Sequence, residues 1–110
     1  MSYEVRDVNG ASVISLTGDV DLQTSPQVRT KLLETLEKSK RVVVDLSAVN
    51  YIDSSGVASL VEAFQVSRKK NASFSLASVS SAAMRVLSLA RLDKVFTIHP
   101  SVEAALAAQA

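Results

Sequence analysis

Arg41-Val42-Val43-Val44-Asp45-Leu46 is the stretch on which the fold turns. Its apolar run is continuous and β-branched, and too short for a helix. Such a run reads as a strand buried on both faces of a sheet. Upstream, Ser25-Pro26 pairs a helix-capping residue with a proline suited to the first helical position. Val28, Leu32, Leu33 and Leu36 then keep helical spacing to about Lys38. Downstream, Asp53-Ser54-Ser55-Gly56 precedes a second helical face of Val57, Leu60, Val61 and Phe64. That helix runs out in Arg68-Lys69-Lys70, cations that suit the negative end of the helix dipole.

The same alternation continues. Residues 74–77 read as a strand. Ser80-Ser81 opens a third helix carrying Ala83, Val86, Leu87 and Ala90. Residues 95–98 read as a further strand. His99-Pro100-Ser101 opens a last helix, with Val102, Ala105 and Leu106 facing inward. At the other end, residues 3–8 and 12–16 flank Asn9-Gly10, a two-residue hairpin signal because both positions tolerate positive φ. Thr17-Gly18-Asp19-Val20-Asp21 reads as a polar loop. The order is β-β-α-β-α-β-α-β-α. A hairpin followed by strand–helix alternation predicts an α/β fold, a mixed sheet with helices packed against it, in one domain over residues 1–110.

Composition removes several function classes. Twelve Lys and Arg against eleven Asp and Glu leave a net charge of +1, so no broad basic field exists for nucleic acid or an anionic membrane. The apolar side chains are aliphatic, and with 5% aromatics no stacking platform for single strands is expected. Cysteine is absent, which removes disulfides, thiolate metal sites and cysteine nucleophiles together. No apolar stretch is long enough to span a bilayer, and Met1-Ser2-Tyr3-Glu4-Val5-Arg6-Asp7 is charged where a signal peptide is apolar. The expectation is a soluble cytoplasmic protein without direct membrane insertion.

Candidate chemistry centres on Asp53-Ser54-Ser55-Gly56, which places Ser54 at or near a helix start. Among seventeen serines, one at a helix start has a plain structural reading as an N-cap. It also has a functional one. A phosphate adds roughly −1.5 to −2 charges, and a helix N-terminus tolerates them while the surface changes. Asp19, Asp21 and Asp53 are hard-cation ligand types, but Asp19 and Asp21 also read as turn residues on a solvated loop. A phosphoacceptor aspartate of the receiver type fits poorly, because that fold opens with a parallel unit and this chain opens with a hairpin. A serine hydrolase needs a positioned base, and His99 is the single histidine, read as a terminus or cap residue. Only Gly10, Gly18 and Gly56 are available, too few for a phosphate-cradling loop, and no Gly-x-Ser-x-Gly elbow exists. Neither catalytic nor cofactor-binding residues are expected.

Three segments together resemble the STAS domain, and more narrowly the bacterial anti-sigma factor antagonists. They are Leu16-Thr17-Gly18-Asp19-Val20-Asp21, Val43-Val44-Asp45-Leu46, and Tyr51-Ile52-Asp53-Ser54-Ser55-Gly56-Val57. The resemblance implies a partner-binding surface of Asp19, Asp21, Asp53, Ser54, Ser55 and Gly56, with Ser54 as phosphoacceptor. It implies that the unphosphorylated chain binds an anti-sigma factor with serine/threonine kinase activity, that phosphorylation at Ser54 releases it, and that a phosphatase reverses the step. On this reading the chain is a ligand and substrate, not an enzyme, and needs no cofactor. Similar domains also serve as the STAS subunit of a phospholipid-trafficking ABC transporter or as small-molecule-sensing modules. The transporter subunits tend to carry a threonine and an extra glycine that this chain lacks.

Overall fold

The computed structural model describes residues 1–109. The chain opens with β1 (Ser2–Val8) and β2 (Ala11–Val20), an antiparallel hairpin paired from Ser2 with Thr17 to Val8 with Ala11. Asn9 and Gly10 form the turn with φ of 51° and 84°, both positive as the tight hairpin turn requires. Then follow α1 (Ser25–Lys38), β3 (Arg41–Ile52), α2 (Ser54–Lys69), β4 (Ser73–Ala77), α3 (Ser81–Leu89), a 3-10 turn (Leu92–Lys94), β5 (Ile98–His99) and α4 (Val102–Gln109). The five strands lie in chain order, with β2 to β5 mutually parallel. The expected mixed sheet and element order are therefore observed.

Strand order explains where the helices go. Each parallel crossover steps the same way across the sheet, so crossovers of one hand deposit their helices on one face. Val28, Leu32 and Leu36 of α1, Val57, Leu60 and Ala63 of α2, and Ala83 and Leu87 of α3 share a core with Ile14, Val42, Val44 and Leu76. The opposite face is covered by α4, whose Ala105, Val102 and Leu106 pack on Val13, Val43 and Ala77. Val42, Val43 and Val44 are fully buried because both faces are covered at their level, as the apolar run predicts.

Five local expectations are corrected. Residues 17–20 are strand, not loop. Two register shifts against β3, between Ser15 and Thr17 and between Gly18 and Asp19, carry the ladder past the polar residues. Gly18 supplies a φ of 94° there. β3 likewise continues to Ile52, six residues beyond the apolar run, because backbone pairing with β2 holds it where side chains alternate. The strand expected over 95–98 shrinks to Ile98–His99. Phe96 turns into the core, where its ring meets that of Phe64 edge-on at 5.5 Å, and a buried aromatic outweighs two ladder positions. Finally, Ser25 is the first residue of α1 rather than its cap, and His99 is a strand residue. The cap of α4 is Ser101, whose hydroxyl accepts from the Ala104 N–H at 3.0 Å.

Helices α1 and α2 run side by side in the same direction. Ser59 donates to the Ser25 carbonyl at 3.3 Å, and Arg29 forks onto Glu62 at 2.8 and 2.7 Å. Lys70 meets Glu37 at 3.2 Å further along. The two helix starts consequently sit together over the C-terminal ends of β2 and β3.

Candidate functional site

Residues 53–56 form the first turn of α2 where β3 ends. Asp53, not a serine, is the N-cap. Its backbone is extended, and its Oδ1 accepts from the N–H groups of Ser55 at 3.0 Å and Gly56 at 3.2 Å. The same oxygen takes the Ser55 hydroxyl at 2.6 Å. That hydroxyl bond holds the Asp53 carboxyl below the usual aspartate range; burial pushes the other way, and the backbone N–H groups of Gly56, Ser55 and Leu22 add to the lowering. Asp53 is thus a charged cap on the positive end of a helix.

This arrangement separates the two serines. The Ser55 hydroxyl is committed to Asp53. Ser54 occupies the first helical position, exposed, and its hydroxyl has no hydrogen-bond partner among the described residues. The plain capping role weighed for Ser54 belongs to Asp53.

Gly56 is buried, and its role is close approach rather than turning. A Cβ there would stand 2.7 Å from Ile52 Cγ1, 2.8 Å from Val20 Cγ1 and 3.0 Å from the Val20 carbonyl oxygen. The missing side chain lets the start of α2 press against the end of β2. The Asp53 N–H completes the joint by donating to the Val20 carbonyl at 3.1 Å.

The β2–α1 connection lies against this joint and is locked from within. Asp21 Oδ1 accepts from the N–H groups of Gln23 at 3.0 Å and Thr24 at 3.1 Å, and the Thr24 hydroxyl returns the favour by accepting from the Asp21 N–H at 2.9 Å. This reciprocal pair is a capping box one turn ahead of α1. Asp21 therefore shapes the loop, while exposed Asp19 stands in register with Tyr51 at the strand ends. Asp19, Asp21, Asp53, Ser54, Ser55 and Gly56 fall at one end of the sheet. Among the described residues no group of three or more His, Asp or Glu could hold a metal ion. His99 lies on β5, two strands away from β3.

Two apolar residues of this end were not singled out by the sequence. Leu22 is 75% exposed and its N–H faces the Asp53 carboxylate, while Tyr51, two residues before Asp53, is 52% exposed. The available signal was an isolated leucine inside a polar loop. Together they place apolar surface beside an exposed hydroxyl and several carboxylates. Such a surface offers a docking face for a protein and an acceptor for a phosphoryl group.

Comparison with known proteins gives the chain's family and fold relatives. The family model described as the STAS domain matches residues 2–105. The chain is 25% identical over 103 residues to the anti-sigma-B factor antagonist of Bacillus subtilis, covering 94% of each chain. It is 30% identical to the crystal structure of an anti-sigma factor antagonist from Mycobacterium paratuberculosis, covering 98% of this chain and 92% of that one, with a TM-score of 0.88. It shares its fold with the phosphorylated form of the Bacillus cell fate determinant SpoIIAA, at a TM-score of 0.75, 18% identity and 96% coverage of both chains.

Proposed function

The chain belongs to the STAS domain family, and from that premise we propose that it acts as an anti-sigma factor antagonist switched by phosphorylation of Ser54. The observation that carries the reading is the division of labour in the first turn of α2. Asp53 caps the helix, Ser55 is bonded to the cap, and Ser54 alone presents a free hydroxyl to solvent. In the unphosphorylated state the Leu22 and Tyr51 side chains, with the polar groups of residues 53–55, dock on an anti-sigma factor with serine/threonine kinase activity. The partner supplies nucleotide, metal and base, so this chain acts as ligand and substrate and needs no cofactor. Its sigma factor is freed by the docking, and a phosphatase resets the switch.

The physics of the switch follows from the site. A phosphate on Ser54 adds roughly −1.5 to −2 charges beside Asp53. The helix N-terminus tolerates that charge in the free protein. An interface that must lose water does not, because an unpaired buried charge typically costs about 2–5 kcal/mol, tens to thousands of fold in Kd. The chain therefore stays folded while its partner leaves. No described helix is long and apolar enough to cross a membrane, and the proposed role puts the protein in the cytoplasm with the transcription machinery.

The test is phosphate incorporation from the partner kinase, with the site mapped by mass spectrometry, alongside titration of partner binding. Ser54→Ala abolishes incorporation and binds near normally, whereas Ser54→Asp stays folded and binds at least tenfold more weakly. Phosphate on Ser55, or wild-type binding by Ser54→Asp, would overturn the assignment.

A further inference from the structure

Strand β1 is an edge strand whose single hydrogen-bonded neighbour is β2. A two-residue turn closes on a hydrogen-bonded pair, here Val8 and Ala11, and such pairs alternate along an antiparallel ladder. Ser2, Glu4, Arg6 and Val8 therefore spend their backbone groups on β2. Tyr3, Val5 and Asp7 turn their N–H and C=O groups outward. The strand has no Pro, Gly or Lys to blunt this edge, and it exposes Tyr3 at 44% and Val5 at 37%.

We propose that this edge pairs with a second copy of the chain, antiparallel about a two-fold axis at Val5. The sequence Ser2-Tyr3-Glu4-Val5-Arg6-Asp7-Val8 is self-complementary in that register. Val5 meets the partner's Val5, and Tyr3 meets the partner's Asp7, which satisfies the outward groups with about six backbone hydrogen bonds. Glu4 then stands directly opposite the partner's Arg6, and Arg6 opposite the partner's Glu4. These are the non-hydrogen-bonded positions, where side chains approach most closely.

Charge selects this register over its neighbours. A slide of one pair in one direction sets Glu4 against the partner's Glu4. A slide in the other sets Arg6 against the partner's Arg6. Like charges directly opposite are destabilising in both cases. Val5 and Tyr3 lie on the face that carries α1, and Glu4 and Arg6 on the opposite face, so the two faces contribute apolar contact and register separately. The area is small, which makes the dimer a reversible one populated with rising concentration. Because β1 lies two strands from β3, the pairing leaves the Ser54 surface open, and its success or failure is independent of the switch.

Sedimentation equilibrium of the full chain from about 10 μM to about 1 mM tests it. The wild type should shift from monomer to dimer over this range. Glu4→Arg and Arg6→Glu each turn two opposite pairs into like pairs, and each should raise the dimer Kd about tenfold or more without changing the thermal melt. An equimolar mixture of the two variants should associate as the wild type does, because every facing pair is again of opposite sign. The double variant should also recover. A wild type monomeric at about 1 mM, single variants that associate like the wild type, or a mixture that fails to recover would overturn the proposal.

Discussion

Gly56→Ala has a sign that the tertiary structure decides. In an isolated helix the change is favourable, since alanine exceeds glycine in helix propensity by about 1 kcal/mol. Here the added Cβ meets three atoms inside 3.1 Å: Ile52 Cγ1 at 2.7 Å, Val20 Cγ1 at 2.8 Å and the Val20 oxygen at 3.0 Å. None is the end of a flexible chain. Ile52 and Val20 are buried β-branched residues, and the oxygen is a backbone acceptor already bonded to the Asp53 N–H. Overpacking costs about 1–3 kcal/mol, and three contacts including backbone put this case near the upper end. Subtracting the propensity gain leaves a net loss of about 2 kcal/mol. For 110 residues the unfolding entropy converts that to a fall in Tm of about 8 °C. A thermal melt with a urea titration measures it, and Ala58→Gly on the exposed side of the same helix serves as the propensity control. The lifted helix start also displaces Ser54, so phosphate incorporation should fall in parallel. A Gly56→Ala protein as stable as wild type would refute the close-approach argument.

Other outcomes follow from the same joint. Ser54→Ala should change stability by less than about 0.5 kcal/mol, because its hydroxyl bonds to nothing and Asp53 is the cap; a loss above about 1 kcal/mol by denaturant titration would return the capping role to Ser54. The Asp53 carboxyl is held low in the folded state, so its stabilisation is complete above the ordinary aspartate range and is lost as pH falls through the lowered value. The Tm gap between wild type and Asp53→Asn should therefore narrow below about pH 4, and a gap that widens on acidification contradicts the charged cap. Val42, Val43 and Val44 should be among the slowest amides to exchange, since β3 is central and covered on both faces; fast exchange there would contradict the sheet order.

Asp19, Asp21, Asp53, Ser54, Ser55 and Gly56 were all legible as a group because two short motifs carry them. The family resemblance also set Ser54 apart from Ser55 as the acceptor. What neighbouring residues do not give is the physical difference between the two adjacent serines, which is the direction of the Ser55 hydroxyl onto Asp53 at 2.6 Å. Gly56 reads as a turn glycine until Val20, thirty-six positions earlier, is brought against it. Leu22 reads as an ordinary loop residue until its N–H is found facing Asp53.

What the sequence determined by itself is what neighbouring residues settle among themselves. Asn9-Gly10 dictates the hairpin through backbone freedom, Val28, Leu32 and Leu36 mark one helical stripe, and the valine run from 42 to 44 names the central strand. The tertiary structure decided the rest: β2 and β3 extended along each other past their apolar residues, β5 cut short by Phe96 entering the core, three helices gathered on one face, and one hydroxyl left unbonded at the start of α2. Those outcomes depend on groups far apart in the chain competing for the same hydrogen bonds and the same space, and that competition exists only once the sheet has brought them together.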